Sequence, residues 1–207
     1  MKAALCGLVL LLPAMSLAET ALPALHDVAA VAANDALNVR AAPDADSALL
    51  GSLSPYATAV EVMGQSPDGK WGQINLGEVA GWVAMRYLSA QNRPAWYRMQ
   101  APLHCFGTEP FWSARIVPGA EPQVVLSTVD MPDVSYDIQA LWPGEDWHQV
   151  VGLDFVGQQG TGMAALRGEA CSDGMSDRVF GLSIDLFLGS ENDGNRGGLL
   201  GCCTIAP

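Results

Sequence analysis

Basic residues are scarce in this sequence, and charged residues of either sign are few. The 207 residues carry 10 Lys and Arg against 22 Asp and Glu, a formal net charge of −12, and only 15% of positions are charged. A surface this acidic repels polyanions, which excludes nucleic acid as a partner and disfavours anionic lipid. Histidine is also rare, at positions 26, 104 and 148. His104 adjoins Cys105, but neighbours in a strand point to opposite faces, so the two do not form a Cys–His nucleophile pair. There is no G-x-S-x-G, and Gly157-Gln158-Gln159-Gly160-Thr161-Gly162 has the wrong order for a dinucleotide fingerprint and no helix after it. No C-x2-C spacing supports zinc, and Asp193-Gly194-Asn195 lacks the remainder of a calcium loop. No metal and no cofactor is therefore expected. No stretch has a convincing helical period, and no internal repeat stands out.

One apolar run is present, from Ala3 to Leu12, and it is too short to span a bilayer. It follows Met1-Lys2, is broken by Pro13, and leads to the small residues Ser16 and Ala18 before Glu19, the layout of a secretory signal peptide. Residues 1–18 are read as that signal, cleaved near Ala18-Glu19, and the mature protein as periplasmic or secreted. Cleavage removes Lys2 and no acid, which takes the charge to −13. It also removes Cys6 and leaves Cys105, Cys171, Cys202 and Cys203, an even number that in an exported chain reads as disulfides. A Cys202–Cys203 bridge would close a strained ring. If both lie in one strand they face opposite sides, so each reaches a different partner. Cys171–Cys202 with Cys105–Cys203 is the expected pairing, and the crossed alternative stays open.

With Gly 22 and Pro 13, turns come at short intervals. All four mature cysteines follow residue 100, which separates two units. Between 28 and 90, turn signals at Ala42-Pro43-Asp44, Ser54-Pro55, Pro67-Asp68-Gly69 and Gly77 enclose short apolar runs, the pattern of a small barrel of short strands. Leu37-Asn38-Val39-Arg40, Ala42-Pro43 and Leu49-Leu50-Gly51-Ser52-Leu53 resemble the opening of a bacterial SH3 (SH3b) domain. Gly69-Lys70-Trp71-Gly72-Gln73-Ile74, Gly81-Trp82-Val83 and Tyr87-Leu88 continue the resemblance in order. Trp71, Trp82 and Tyr87 either pack the barrel and its rim or form an aromatic groove for a sugar or peptide. Residues 91–103, with Pro94 and no clear period, read as a linker whose Trp96 and Tyr97 can dock on one of the domains.

The segment 104–207 also alternates. Phe180, Leu182, Ile184, Leu186 and Leu188 share one face, as do Val134, Tyr136, Ile138, Ala140 and Trp142. With candidates at 112–117, 123–129, 148–156, 162–170 and 198–205, seven strands are expected, in an antiparallel barrel or sandwich, with Ser190–Asn195 as a loop. The fold class is thus all-β in both units. Cys105-Phe106-Gly107-Thr108-Glu109-Pro110-Phe111-Trp112 resembles the G-[NT]-E-P-F-W motif of an exported bacterial family of unassigned activity. Cys171-Ser172-Asp173-Gly174-Met175-Ser176-Asp177 and Gly201-Cys202-Cys203 add to the likeness. Glu109 beside Phe111 and Trp112 has the makeup of a sugar or cation site, to which Asp173, Ser176 and Asp177 would add polar groups.

The functional expectation is a non-catalytic exported binding or scaffold protein, whose SH3b unit recognises cell-wall peptide (peptidoglycan) or a periplasmic protein. One alternative is a glycoside hydrolase pairing Glu109 with Asp173 or Asp177 across a cleft. Another is an inhibitor that meets a basic secreted enzyme through its acidic surface. That acidity is uneven: residues 27–91 hold 7 acids and 3 bases, whereas 101–207 hold 14 and 4.

Overall fold

The computed structural model describes residues 21–129, 131–189 and 196–205. The signal-peptide reading of residues 1–18 and the expected loop at 190–195 lie outside them. Apart from turns and loops, the described chain is built of strands, with two short 3-10 turns.

The smaller unit contains β1 (Ala24–Val28), β2 (Leu37–Arg40), β3 (Leu49–Leu53), β4 (Val60–Val62), β5 (Gly64–Gln65), β6 (Trp71–Leu76), β7 (Val79–Ala84) and β8 (Leu88–Ala90). They form two sheets, ordered β4-β1-β8 and β3-β2-β7-β6-β5. The alternation of β2 does what the sequence asks: Leu37 and Val39 are buried while Asn38 is exposed. Leu37, Val39, Val62, Ile74 and Val83 are the core. A side chain at Gly81 would strike Val39, so β2 and β7 approach this closely only because the position has no Cβ. The unit starts at Ala24 rather than at residue 28, since β1 pairs with both β4 and β8. On β1, His26 is only 3% exposed, and its Nδ1 lies 3.1 Å from the Ala24 carbonyl. Burial holds the imidazole below its ordinary pKa, outweighing the contact with Ala24 and the nearby Asp27.

The larger unit contains β9 (Leu103–Thr108), β10 (Phe111–Val117), β11 (Gln123–Thr128), β12 (Met131–Trp142), β13 (Val150–Gly157), β14 (Gly160–Cys171), β15 (Phe180–Gly189) and β16 (Arg196–Thr204). Each pairs antiparallel with the next, and β16 returns to β9, so the sheet closes into an eight-stranded up-and-down barrel. The expectation of seven strands is corrected to eight. The missed strand is β9, whose inward positions are Leu103, Cys105 and Gly107. A glycine at the third of these erases the apolar alternation that would have marked the strand. Inside are Leu103, Ile116, Leu153, Phe155, Leu166, Ile184 and their neighbours. Outside are polar positions such as Ser113, Arg115, Asp137 and Gln139. This is the inverse of a lipid-facing barrel, which is apolar outside. Among the described residues no helix is long and apolar enough to cross a membrane.

The segment 91–103 is not a free linker. Its 3-10 turn at Trp96–Arg98 puts Trp96, Tyr97 and Met99 into the barrel core at 3–5% exposure, where they cork one end. The Gly144 amide donates to the Tyr97 carbonyl at 2.9 Å and fixes the cork to the β12–β13 connection. Burying an apolar side chain of this size contributes roughly 1.5–3 kcal/mol, so the segment belongs to the barrel energetically as well as geometrically.

The seam between β16 and β9 carries Cys203 directly opposite Cys105, and the two are bonded inside the barrel. Cys202, one residue earlier, faces outward and is bonded to Cys171 at the end of β14, across the intervening β15. The bridge that closes the seam joins residues 98 apart in sequence. Restricting an unfolded loop near that length stabilises the fold by about 4–5 kcal/mol in the chain-entropy account.

Replacing Cys105 and Cys203 by Ala, with Cys171–Cys202 intact, is expected to lower unfolding stability by about 2–5 kcal/mol. Urea titration reads this directly, and a loss under about 1 kcal/mol would mean that the β-ladder alone holds the seam. His26 gives a pH signature. Its folded pKa lies below the unfolded value of about 6.5, so the unfolded chain takes up the proton first. Stability is therefore complete above that value and falls as pH drops from 7 towards 5. His26→Gln should flatten the melting temperature across that window, and an unchanged slope would acquit His26.

Candidate functional site

The chain between β14 and β15 folds back along the outside of the barrel, and its shape is set by Asp173. The Asp173 carboxylate accepts hydrogen bonds from the Met175 amide (3.0 Å), the Ser176 amide (2.9 Å) and the Ser176 hydroxyl (2.8 Å). Burial pushes this carboxyl up. The three donors, with the Arg178 guanidinium at 3.7 Å, outweigh it and hold the group below the usual carboxylate range. Thr108 at the end of β9 donates its hydroxyl to the Asp173 carbonyl at 2.9 Å. The Cys171–Cys202 bridge pins the start of the loop.

This loop is the docking edge for the smaller unit. Asp177 forms a parallel bridge with Val79: the Ala80 amide donates to the Asp177 carbonyl at 2.9 Å, and the Asp177 amide to the Glu78 carbonyl at 3.1 Å. Asn75 on β6 imitates a strand neighbour, its Nδ2 donating to the Val179 carbonyl (2.9 Å) while its Oδ1 accepts from the Val179 amide (3.1 Å). Elsewhere the Glu61 carboxylate takes the Thr204 hydroxyl and the Ile205 amide of the barrel. The Trp96 indole N–H donates to the Leu22 carbonyl at 3.2 Å. The two units are thus joined by backbone-type pairing at one edge and by side-chain clasps at others.

Between these joints lies a cleft of 1240 Å³. Gln73 and Met63 wall it from the smaller unit, Trp96, Tyr97 and Gln149 from the barrel, and the strand-leading segment Ala21–Ala24 crosses it. Four glutamines, 73, 91, 100 and 149, face it together with Arg93, Asp146 and Glu169. Gln91 gives its Nε2 to Asp27 at 2.6 Å, and the amides of Gln73, Gln100 and Gln149, each a donor and an acceptor, suit the alternating N–H and C=O of an extended peptide. Tyr97 donates its hydroxyl to Asp146 at 2.8 Å, and the same carboxylate takes Arg98 at 2.9 Å. The Tyr97 hydrogen bond and the Arg98 charge keep Asp146 below its usual range, and burial pushes the Tyr97 phenol up.

Gln73 also belongs to the outward face of the β6–β7 ribbon. Trp82 sits opposite Gln73, and Arg40 opposite Trp82, so these side chains share the face with Trp71 while Ile74 and Val83 fill the core behind. Trp71 and Trp82 are both half-buried. Residues 35–89 match the bacterial SH3 domain. The match lies wholly within the smaller unit, which is similar to a bacterial SH3 domain over those residues. The match stops at residue 89, so the likeness of the second unit to the motif-bearing exported family is not supported. No curated protein and no solved structure matches the chain.

The residues singled out in sequence thus fall in four places. Trp71 and Trp82 lie on the outer face of the SH3 domain, whereas Tyr87 packs on its core under the Arg86 guanidinium, 4.6 Å from the ring. Asp173, Ser176 and Asp177 build the loop on which the SH3 domain docks. Glu109 and Phe111 are exposed at the β9–β10 hairpin, and Trp112 is inside the barrel at 4% exposure, so it offers no stacking surface to solvent. The Thr108–Asp173 contact does bring the two sequence blocks together, yet neither Glu109, Asp173 nor Asp177 lines the cleft. Asp173, held ionised by its own loop, is the reverse of a general acid, which needs a raised pKa. Among the described residues no group of His, Cys, Asp and Glu is placed to hold a metal. Asn75 and the cleft glutamines escaped sequence reasoning because a single amide carries no periodicity and no motif.

Asn75→Ala removes both amide bonds to Val179 and should loosen the SH3 domain from the barrel while leaving each core intact. Calorimetry is expected to show the melting endotherm broaden or split, with a loss of about 1–3 kcal/mol for the two bonds. A single unshifted transition would show that the Val79–Asp177 bridge suffices.

Proposed function

We propose that this protein is an exported, non-catalytic binding protein whose SH3 domain and barrel together hold an extended peptide, with peptidoglycan stem peptide as the cell-wall ligand and a periplasmic protein segment as the alternative occupant. The observation that carries this reading is the 1240 Å³ cleft walled by both units and faced by four glutamines. Ligand sites favour such positions between domains, where two rigid walls supply area and a few polar groups fix orientation. Gln73 connects the cleft to Trp82 and Trp71, so a bound chain can run from the amide-lined cleft onto the aromatic face.

The bacterial SH3 domain supports a binding role, and domains of this kind commonly bind cell wall or protein. Export is supported by the signal-like N-terminus and by two disulfides, which persist in oxidising compartments. The non-catalytic reading is supported by the commitment of Asp173 to its own loop.

The test is retention on purified peptidoglycan at moderate salt. The mature protein should be retained, and Gln73→Trp, which fills the cleft from the exposed side of a strand, should weaken retention about tenfold. Trp82→Ala should weaken it by a smaller factor. No retention of the parent protein would reject the wall ligand. Retention indifferent to Gln73→Trp would reject the cleft.

A further inference from the structure

The connection between β12 and β13 reverses within two residues. Glu145 and His148 form an antiparallel bridge, each amide donating to the other's carbonyl at 2.9 Å, and Asp146 and Trp147 make the tip. The turn is fastened to the cork beneath it. The Gly144 amide reaches the Tyr97 carbonyl, the Tyr97 hydroxyl reaches Asp146, and the Arg98 guanidinium donates to Glu145 at 3.1 Å and to Asp146 at 2.9 Å. Gly144 permits this seat, since a Cβ there would stand 3.0 Å from the Tyr97 Cβ. On that base Trp147 is 84% exposed, the most open of the large apolar side chains among the described residues. Its one recorded ring neighbour is His148, 5.5 Å away and tilted by 41°. An indole left in water forgoes the stabilisation that its burial would supply. A ring held on a fixed turn loses little further freedom when a ligand covers it.

We infer, resting on the peptide reading of the cleft, that Trp147 is a stacking platform for an N-acetylhexosamine, the sugar to which a cell-wall stem peptide is joined. Its position is the first support. Asp146 and Gln149, on either side of Trp147 in sequence, line the cleft, while Trp147 itself stands outside it. A peptide lying along the cleft therefore has an open aromatic ring beside the rim at which it emerges. The surroundings of the ring select a sugar over other occupants. Patches that dock proteins or lipid are contiguous and apolar, whereas the neighbours on this turn, Glu145, Asp146 and His148, are polar and exposed. A pyranose needs that combination: a flat ring for its C–H face and acceptors beside it for its hydroxyls.

Those acceptors are in place. Arg98 and Tyr97 occupy only Oδ1 of Asp146, and Arg98 only Oε2 of Glu145. The second oxygen of each carboxylate has no partner among the described residues. The acetamido group has a counterpart too. Gln149 lies two residues beyond Trp147, at most about 7 Å along the chain, and its side-chain amide lines the cleft with no hydrogen-bond partner among the described residues. One amide meets another with a donor and an acceptor each, which a plain hydroxyl does not match. Trp142, on the same hairpin, is placed differently: it rests on the barrel wall over Gly152, where a Cβ would come within 3.2 Å of its ring.

The experiment is an NMR titration of the mature protein with the tetramer of N-acetylglucosamine, which carries no peptide, and with the tetramer of glucose, which lacks the acetamido group. The Trp147 indole signal, identified by its loss in Trp147→Ala, should shift saturably with the first sugar and bind the second about fivefold more weakly. Followed through the backbone amides of the turn, Trp147→Ala should weaken binding about tenfold or more, and Trp147→Tyr, which keeps a stacking face, by no more than about threefold. Gln149→Ala should abolish the preference for the acetylated sugar. Phe187→Ser, an exposed aromatic on the outer wall towards the far end of the barrel, should leave binding unchanged. No shift of the Trp147 signal, full binding by Trp147→Ala, preference of the parent protein for the glucose tetramer, or an equal loss in Phe187→Ser would each overturn the platform. Retention on peptidoglycan without tetramer binding would reject the sugar subsite and leave the peptide cleft standing. Tetramer binding that needs Trp147, in a protein whose retention ignores Gln73→Trp, would uphold the platform and reject the cleft.

Discussion

The β16–β9 seam is the constraint on which the larger unit depends. Seven of the eight strand pairings join consecutive strands and form between near neighbours in sequence. The eighth brings the last strand to the first, and only that pairing turns a meander into a closed cylinder with no exposed edge. The seam is short, with Cys202, Cys203 and Thr204 opposite Phe106, Cys105 and His104. Such a short ladder across so long a loop is where a covalent bond contributes most, and Cys105–Cys203 lies within it.

Closure also fixes what lies on each side of the seam. The inward side of β16 and β9 holds the Trp112 indole against Gly107 and Gly201. Their outward side carries Phe106 and Cys202. Phe106 stacks edge-on against Phe180 at 4.9 Å, and the bond from Cys202 to Cys171 ties down the loop that carries the SH3 domain. Alternation along one strand thereby separates two tasks: odd positions finish the interior, and even positions anchor a neighbour.

Much of the architecture was legible in the sequence because it rests on local patterns. The alternation of Phe180 to Leu188 is β15, and Val134, Tyr136 and Ile138 alternate as expected in β12, whereas a register shift after Ile138 leaves Trp142 exposed and puts Leu141 on the core. The order of Leu37-Asn38-Val39-Arg40, Trp71 and Gly81-Trp82 anticipated the SH3 domain. What stayed hidden depends on side chains that are absent or on partners far along the chain. Strand β9 was missed because Gly107 contributes no apolar side chain. The docking of Trp96 and Tyr97 is legible in the sequence, but which unit they enter is not, because Trp96, Tyr97 and Met99 follow no period. Closure rather than a sandwich could not be decided locally, since it depends on residues 98 apart. The attachment of the two units rests on Asn75, Asp177 and Val179, whose roles are expressed mainly through backbone groups that every residue possesses.

Because the closing strand is the last one in the barrel, time enters the structure. The SH3 domain precedes it and can complete its own core while the rest of the chain is still being delivered. The barrel cannot: β9 to β15 stay an open, curling sheet with an unpaired edge at each side until residues 196–204 arrive. The inward and the outward thiol of that final strand arrive together, and each finds a partner made earlier in synthesis. A chain stopped short of them lacks the seam, both crosslinks and the Glu61 clasp at once. Completion of the barrel is thus a single event, which separates a closed cylinder from an open sheet far more sharply than gradual accumulation of contacts would.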